Sequence, residues 1–363
     1  MKCCSSIASQ PTIFNVKFLC LDFLGPDDKL SCKEHKLRVL RHCRLEDATE
    51  RGKVTSGKRQ TIPVHDGHDG LELEKGTPLL SRHHLAALPP VPPTRRVAYG
   101  EAAAQFADLY LPGPDAARPQ CRATRPPLVR VLLPVVMLLH GGCWRERVSL
   151  DYFGQAAQRL TGAGSAVWNV EYRRLGGGGG WPATLLDVAA ATEALRALAP
   201  EYGLDLARLL AVGHSAGGQL ALWLAGRQRL PQSSPLYRPD PLLLRGVVSL
   251  AGIPDLAEAA ARGLCQGAPQ ELLGGGPDER PERYAQASPA ALLPLGCPQV
   301  FIHGEEDDIV PLDYVQAYVR AAQARGEAAR LETLPATGHF EPVVVGTPAW
   351  EVVQEEIMKG LEP

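Results

Sequence analysis

The chain has 363 residues, 45% of them hydrophobic and 21% charged, with 36 Gly, 32 Pro and 9 Cys. A formal net charge of −2 argues against a strongly basic nucleic-acid binder, and so high an apolar fraction argues against a wholly disordered chain. No apolar run approaches the roughly 18 residues a membrane span requires, so neither a nucleic-acid partner nor a membrane span is expected.

Residues 1–95 show no sustained helical or strand periodicity. They carry a basic excess, since the first 100 residues hold 16 Lys and Arg against 11 Asp and Glu. Lys17 and Asp22 interrupt Phe14, Phe18, Leu19 and Leu21, which is not the pattern of a cleavable signal peptide. Cys3, Cys4, Cys20, Cys32 and Cys43 crowd the front, while Cys121, Cys143, Cys265 and Cys297 are scattered behind. An odd total without regular spacing does not read as a disulfide framework, and it points to a reducing, cytosolic setting. Cys32, His35, His42 and Cys43 lack the paired spacing of a zinc finger, so no metal site is expected there. Residues 88–95, LPPVPPTR, read as an extended linker. The predicted organisation is a loosely structured N-terminal extension over 1–95 and one folded domain over 96–363.

Beyond residue 97 the pattern changes. Short apolar runs at Val135–Leu139, Ala166–Val170, Leu209–Val212, Gly246–Leu250 and Pro298–Ile302 suit strands buried on both faces of a parallel sheet. Ala329–Leu334 adds a further β-like stretch. Between them, Ala183–Leu198, Gln219–Leu224, Asp313–Arg325 and Pro348–Met358 read as helices. Alternating strand and helix predicts an α/β fold with a mostly parallel, doubly wound sheet. Residues 253–289, rich in Ala, Gly and Pro, read as a short lid of loops and small helices. The glycine run 176–180 lacks the Lys-Ser/Thr of a phosphate loop and reads as a flexible loop over the pocket.

Ligands in such sheets sit at the carboxyl ends of the strands. After Leu209–Val212 comes Gly213-His214-Ser215-Ala216-Gly217, a G-x-S-x-G turn from strand to helix that exposes the serine hydroxyl at its apex. A serine hydroxyl needs a base to become a nucleophile. Four histidines lie beyond residue 100: His140, His214, His303 and His339. His140 ends a strand and His214 flanks the serine, so both are poorly placed to act as the base; His303 ends another strand with carboxylates just beyond it, and His339 follows the β-like stretch Ala329–Leu334, in the chain order serine, acid, histidine of a known triad. Asp307, in His303-Gly304-Glu305-Glu306-Asp307-Asp308, is favoured over Asp308 as the group that orients it. His140-Gly141-Gly142-Cys143-Trp144 follows a central strand and supplies backbone N–H groups for an oxyanion, with the amide of Ala216 as partner donor.

Together, His-Gly-Gly-x-Trp at 140–144, Gly-His-Ser-Ala-Gly-Gly at 213–218 and the order Ser215, Asp307, His339 resemble the esterase/lipase branch of the α/β-hydrolases. The pattern is similar to that of small bacterial esterases and kynurenine formamidase, and Gly338-His339-Phe340-Glu341 resembles the terminal histidine motif of the formamidase. The resemblance covers about residues 97–360. It departs at Cys143, where formamidases carry an aromatic residue, and at Gly218; Cys143 reads as an inert small side chain or a reactive thiol. It implies a serine hydrolase acting on a small carboxylic ester or an arylformamide through an acyl-enzyme, with no metal or organic cofactor. Gly142, Cys143 and Ala216 would form the oxyanion hole, and His140, Gly141, Trp144 and His214 would line the pocket. Trp144, Trp168 and Trp181 are candidates for an aryl-binding wall. A prolyl oligopeptidase-type peptidase and a non-catalytic binding module are the alternatives; the first lacks the chain for a propeller, and the second usually loses a catalytic residue that this chain keeps.

Overall fold

A computed structural model describes residues 78–113 and 132–362, and the front cysteines with His35 and His42 lie outside them. All described residues fall within one compact unit, residues 71–363. Among them eight strands form one sheet in the order β1-β2-β4-β3-β5-β6-β7-β8. These are β1 (Arg95–Ala98), β2 (Phe106–Tyr110), β3 (Leu133–Leu139), β4 (Ala166–Val170), β5 (Leu204–His214), β6 (Gly246–Leu250), β7 (Gln299–Gly304) and β8 (Ala329–Leu334). β2 runs against both of its neighbours, and every other pairing from β4 to β8 is parallel. The mostly parallel sheet and its helices are those of an α/β-hydrolase fold.

The short strand runs stay apolar because both faces are covered. Val135, Met137 and Leu139 of β3 point into one layer, and Val136 and Leu138 into the other. The first layer holds α3 (Ala183–Tyr202), α4 (Ala216–Gly226) and α9 (Leu312–Gln323). The second holds α2 (Gly154–Gly162) and α10 (Pro348–Gly360). A cap built from α5 (Leu256–Ala261), α6 (Ala268–Leu273), α7 (Pro281–Ala287) and α8 (Pro289–Leu292) lies where the sequence places a lid of small helices.

The proline-rich stretch, expected as a linker, is packed on this unit. After the single turn of α1 (Arg82–Ala86), Leu88 and Val91 pack against the second core layer. Tyr110 donates its hydroxyl to the Val91 carbonyl, and Thr94 accepts the Leu111 amide. The glycine run is hydrogen-bonded: the amides of Gly177 and Gly179 both donate to the Arg174 carbonyl, and Gly180 donates to Thr184. Gly176, Gly178 and Gly180 take positive φ there, which is why the run is glycine. Among the described residues no helix is long and apolar enough to cross a membrane.

Candidate active site

β5 ends at His214 and α4 begins at Ala216, so Ser215 occupies the turn between them. Its backbone takes φ 54° and ψ −119°, a conformation that costs a non-glycine residue energy and persists only where its surroundings enforce it. They do. The Ser215 amide donates to Leu250 at the end of β6 (2.8 Å), and a Cβ on Gly213 would sit 2.0 Å from the Gly217 carbonyl oxygen. A Cβ on Gly217 would meet the Leu139 carbonyl oxygen at 1.9 Å, so the glycines let helix, elbow and β3 close on one another.

Two further loops converge here. β7 and β8 are adjacent, and Glu305 and Glu306 donate their amides to Leu334 at the end of β8 and to Thr337 of the loop after it. That approach requires Gly304, where a Cβ would fall 2.0 Å from the Thr337 carbonyl. His339 Nδ1 then lies 2.7 Å from one carboxylate oxygen of Asp307. The other oxygen accepts the amides of Ile309 and Val310 at 2.9 and 2.8 Å. Burial alone would raise the Asp307 carboxyl; the bond and charge of His339, with His303 beside it, hold it below its ordinary value instead. His303 Nε2 stands 3.4 Å from the same carboxylate and 2.8 Å from the Val310 carbonyl, and burial lowers its pKa. Asp308 is exposed.

His339 reaches the elbow through the residue before the serine. The rings of His214 and His339 pack with centroids 4.8 Å apart, and His214 Nε2 lies 3.0 Å from the His339 carbonyl. Phe340 stands edge-on to His339. Ser215 and His339 are both buried, 2% and 4% exposed.

The loop after β3 faces the elbow. A Cβ on Gly141 would meet the Ser215 Cβ at 3.0 Å, and the Gly141 amide is taken by the Tyr152 hydroxyl (2.7 Å). Gly142, Cys143 and Trp144 all take positive φ. This turn is pinned twice, by a Cys143–Cys265 disulfide to the cap and by a hydrogen bond from Trp144 Nε1 to Gln219 of α4. Gln219 in turn donates to Ala287 of the cap. Ala216 opens α4, so its amide has no acceptor within the helix.

Several expectations change at this point. Cys143 is neither a free thiol nor an inert side chain: it is half of a disulfide, and the pairing removes the ground for inferring a reducing compartment. His140, Trp144 and His214 are buried, and their ring nitrogens are hydrogen-bonded within the protein. His140 bridges the Gly141 carbonyl and Glu171 and stacks on Tyr172. Burial would raise the Glu171 carboxyl, but His140 and Arg174 hold it low. Trp168 sits in the core and donates to Ala191. Of the three tryptophans only Trp181 is partly exposed. Glu171, Tyr152 and Gln219 escape the sequence reading because no motif contains them; each is recruited by partners 30 or more positions away. Among the described residues no cluster of three or more His, Cys, Asp or Glu could hold a metal.

Against known proteins, the chain is 27% identical to "Esterase LipC" of Mycobacterium tuberculosis over 68% of its length, spanning 59% of that protein. It is 37% identical to "Carboxylesterase NlhH" of the same species over 31% of its length, spanning 34% of that protein. The chain therefore covers less than two thirds of these curated relatives. The fold matches Thermogutta terrifontis esterase 2 with a TM-score of 0.60 at 18% identity, over 76% of this chain and 98% of that one. It also matches esterase B from Lactobacillus rhamnosis with a TM-score of 0.62 at 19% identity, over 77% and 89%. The BD-FAE family model matches residues 125–320, more than half of the chain and the stretch that carries the elbow, the Gly-Gly loop and Asp307, and the chain belongs to that family of α/β-hydrolase esterases and lipases.

Proposed function

We propose that the protein is a serine carboxylesterase that hydrolyses small carboxylic esters through an acyl-enzyme. In this reading Ser215 attacks the ester carbonyl. His339 takes its proton on Nε2, the nitrogen left free when Nδ1–H points at Asp307, and returns it to the leaving alcohol. The amides of Gly142, Cys143 and Ala216 stabilise the tetrahedral oxyanion, each such donor being worth about 100- to 1,000-fold in rate. Water then attacks the acyl-enzyme by the same route in reverse.

The reading is carried by one observation: the 2.7 Å His339–Asp307 pair is delivered beside a strained serine elbow. The esterase relatives favour an ester over other acyl donors. An arylformamide loses its expected aryl wall, because Trp144 and Trp168 lie in the core. A short cap suits a small acyl group.

A fluorophosphonate probe tests the nucleophile. Wild type should label and Ser215→Ala should not; equal labelling of both removes Ser215 from the mechanism, and labelling of neither favours a non-catalytic module. In the same preparation, turnover of short p-nitrophenyl esters should exceed turnover of N-formylkynurenine, and the opposite ranking selects the formamide.

A further inference from the structure

His214 has no part in the chemistry above, yet its ring is enclosed and both nitrogens are engaged. Nε2 lies 3.0 Å from the His339 carbonyl, and Nδ1 lies 2.9 Å from the Tyr152 hydroxyl. A carbonyl only accepts, so Nε2 carries a proton. Burial, with His339 alongside, pulls the ring's pKa down to about 3, so at neutral pH it holds that proton alone. Nδ1 is then a bare acceptor, and Tyr152 donates to it. The Tyr152 oxygen meanwhile accepts the Gly141 amide at 2.7 Å. Three bonds run in one direction, from the end of β3 through Tyr152 and His214 to the backbone of His339.

We propose that His214 is a positioning residue for His339, locked by Tyr152 in its Nε2-protonated tautomer, so that the Gly-Gly loop and the base are held in register across the elbow. The proposal deepens the esterase reading and rests on it for its kinetic arm. Asp307 restrains the His339 ring and His214 restrains its backbone, and two anchors fix an imidazole where one lets it swing. The other tautomer would turn a nitrogen lone pair against the His339 carbonyl oxygen. A displacement of about 1 Å in a reacting group costs on the order of 100-fold, which makes the second anchor worth having.

The test has a spectroscopic and a kinetic arm, both on the full chain. In protein labelled with ¹⁵N-histidine, long-range imidazole spectra should show His214 protonated at Nε2, with a shift toward the other tautomer in Tyr152→Phe. Kinetically, Tyr152→Phe and His214→Leu should lower kcat by about 10- to 100-fold, with KM nearly unchanged, when rates are counted per fluorophosphonate-titrated site. His214→Gln, whose terminal amide can donate to the same carbonyl, should recover most of that loss. Tyr152→Phe should cost far less in the His214→Gln background than in wild type, because no tautomer remains to be set. The proposal is overturned if His214 is protonated at Nδ1 in wild type. It is overturned equally if Tyr152→Phe costs as much in either background, which would leave Tyr152 acting through Gly141 alone. Fewer titratable sites with an unchanged rate per site would also overturn it, as the mark of a purely structural role. The spectra report the tautomer whether or not any ester is turned over, so a failure of the esterase reading is separable from a failure of this one.

Discussion

Asp307 and Asp308 are adjacent in the chain and face opposite surroundings. Asp307 is buried against His339 and holds two backbone amides; Asp308 faces solvent. Asp307→Asn should therefore lower kcat for a p-nitrophenyl ester by about 10,000-fold, while Asp308→Asn changes it little; the reverse ranking would move the orienting role to Asp308. The same carboxyl ties stability to pH. A carboxyl whose folded pKa is depressed stabilises fully above its unfolded value, 3.8 here, and loses that contribution as pH falls through the lower folded value. The melting temperature of wild type should fall more steeply below about pH 4 than that of Asp307→Asn. That Ser215, Asp307 and His339 each follow a strand was legible in the sequence because strand ends announce themselves by short apolar runs and glycine. Tyr152 was not, and His214 was read only as a pocket residue beside the serine: a contact between side chains 62 positions apart carries no local mark.

At the level of elements, the buried strands are plain in the sequence and the sheet edge is not. β1 and β2 were missed because Arg95, Arg96 and Asp108 break the apolar pattern, yet Arg96 grips Asp108 through two hydrogen bonds of 2.7 and 2.8 Å across the strand pair. Asp205 and Arg208 hide the first half of β5 in the same way, joined at 2.7 Å. α2 starts and ends in glycine, and although Gln, Ala, Arg and Leu between them favour a helix, nine residues are too few to hold one alone, so it depends on the packing of Ala156, Ala157 and Leu160. The Cys143–Cys265 bond joins positions 122 apart, beyond the reach of any spacing rule. It binds the cap to the Gly-Gly loop, as does Arg145 with its paired bonds to Glu271 at 2.7 and 2.8 Å. Cys143→Ser and Cys265→Ser should each lower stability by about 2–5 kcal/mol and slow acylation, with equal effect from the two. Cys297→Ser is the control, since burial pushes that thiol up to about 12 and leaves it unreactive. Calorimetry with and without reductant checks the first expectation, and wild-type stability indifferent to reductant would show the bond to be dispensable.

For the molecule as a whole, the question is where the folded body begins. The described part of the compact unit starts at residue 78, and Leu88, Val91 and Thr94 are part of its packing. Removing residues 1–77 should leave melting temperature and esterase rate close to those of the full chain. Removing residues 1–94 should lower the melting temperature by several degrees, since it strips Leu85, Leu88 and Val91 from the second layer and removes the Thr94 bond to Leu111. If both truncations behave alike, those contacts contribute nothing. One contact in this region reaches further. The Glu341 carboxylate accepts the Leu80 amide with one oxygen and the Gly338 amide with the other, and Gly338 is the residue before His339. Traction on the chain upstream of Leu80 thus meets a lever arm one carboxylate long, with the imidazole of His339 at its far end.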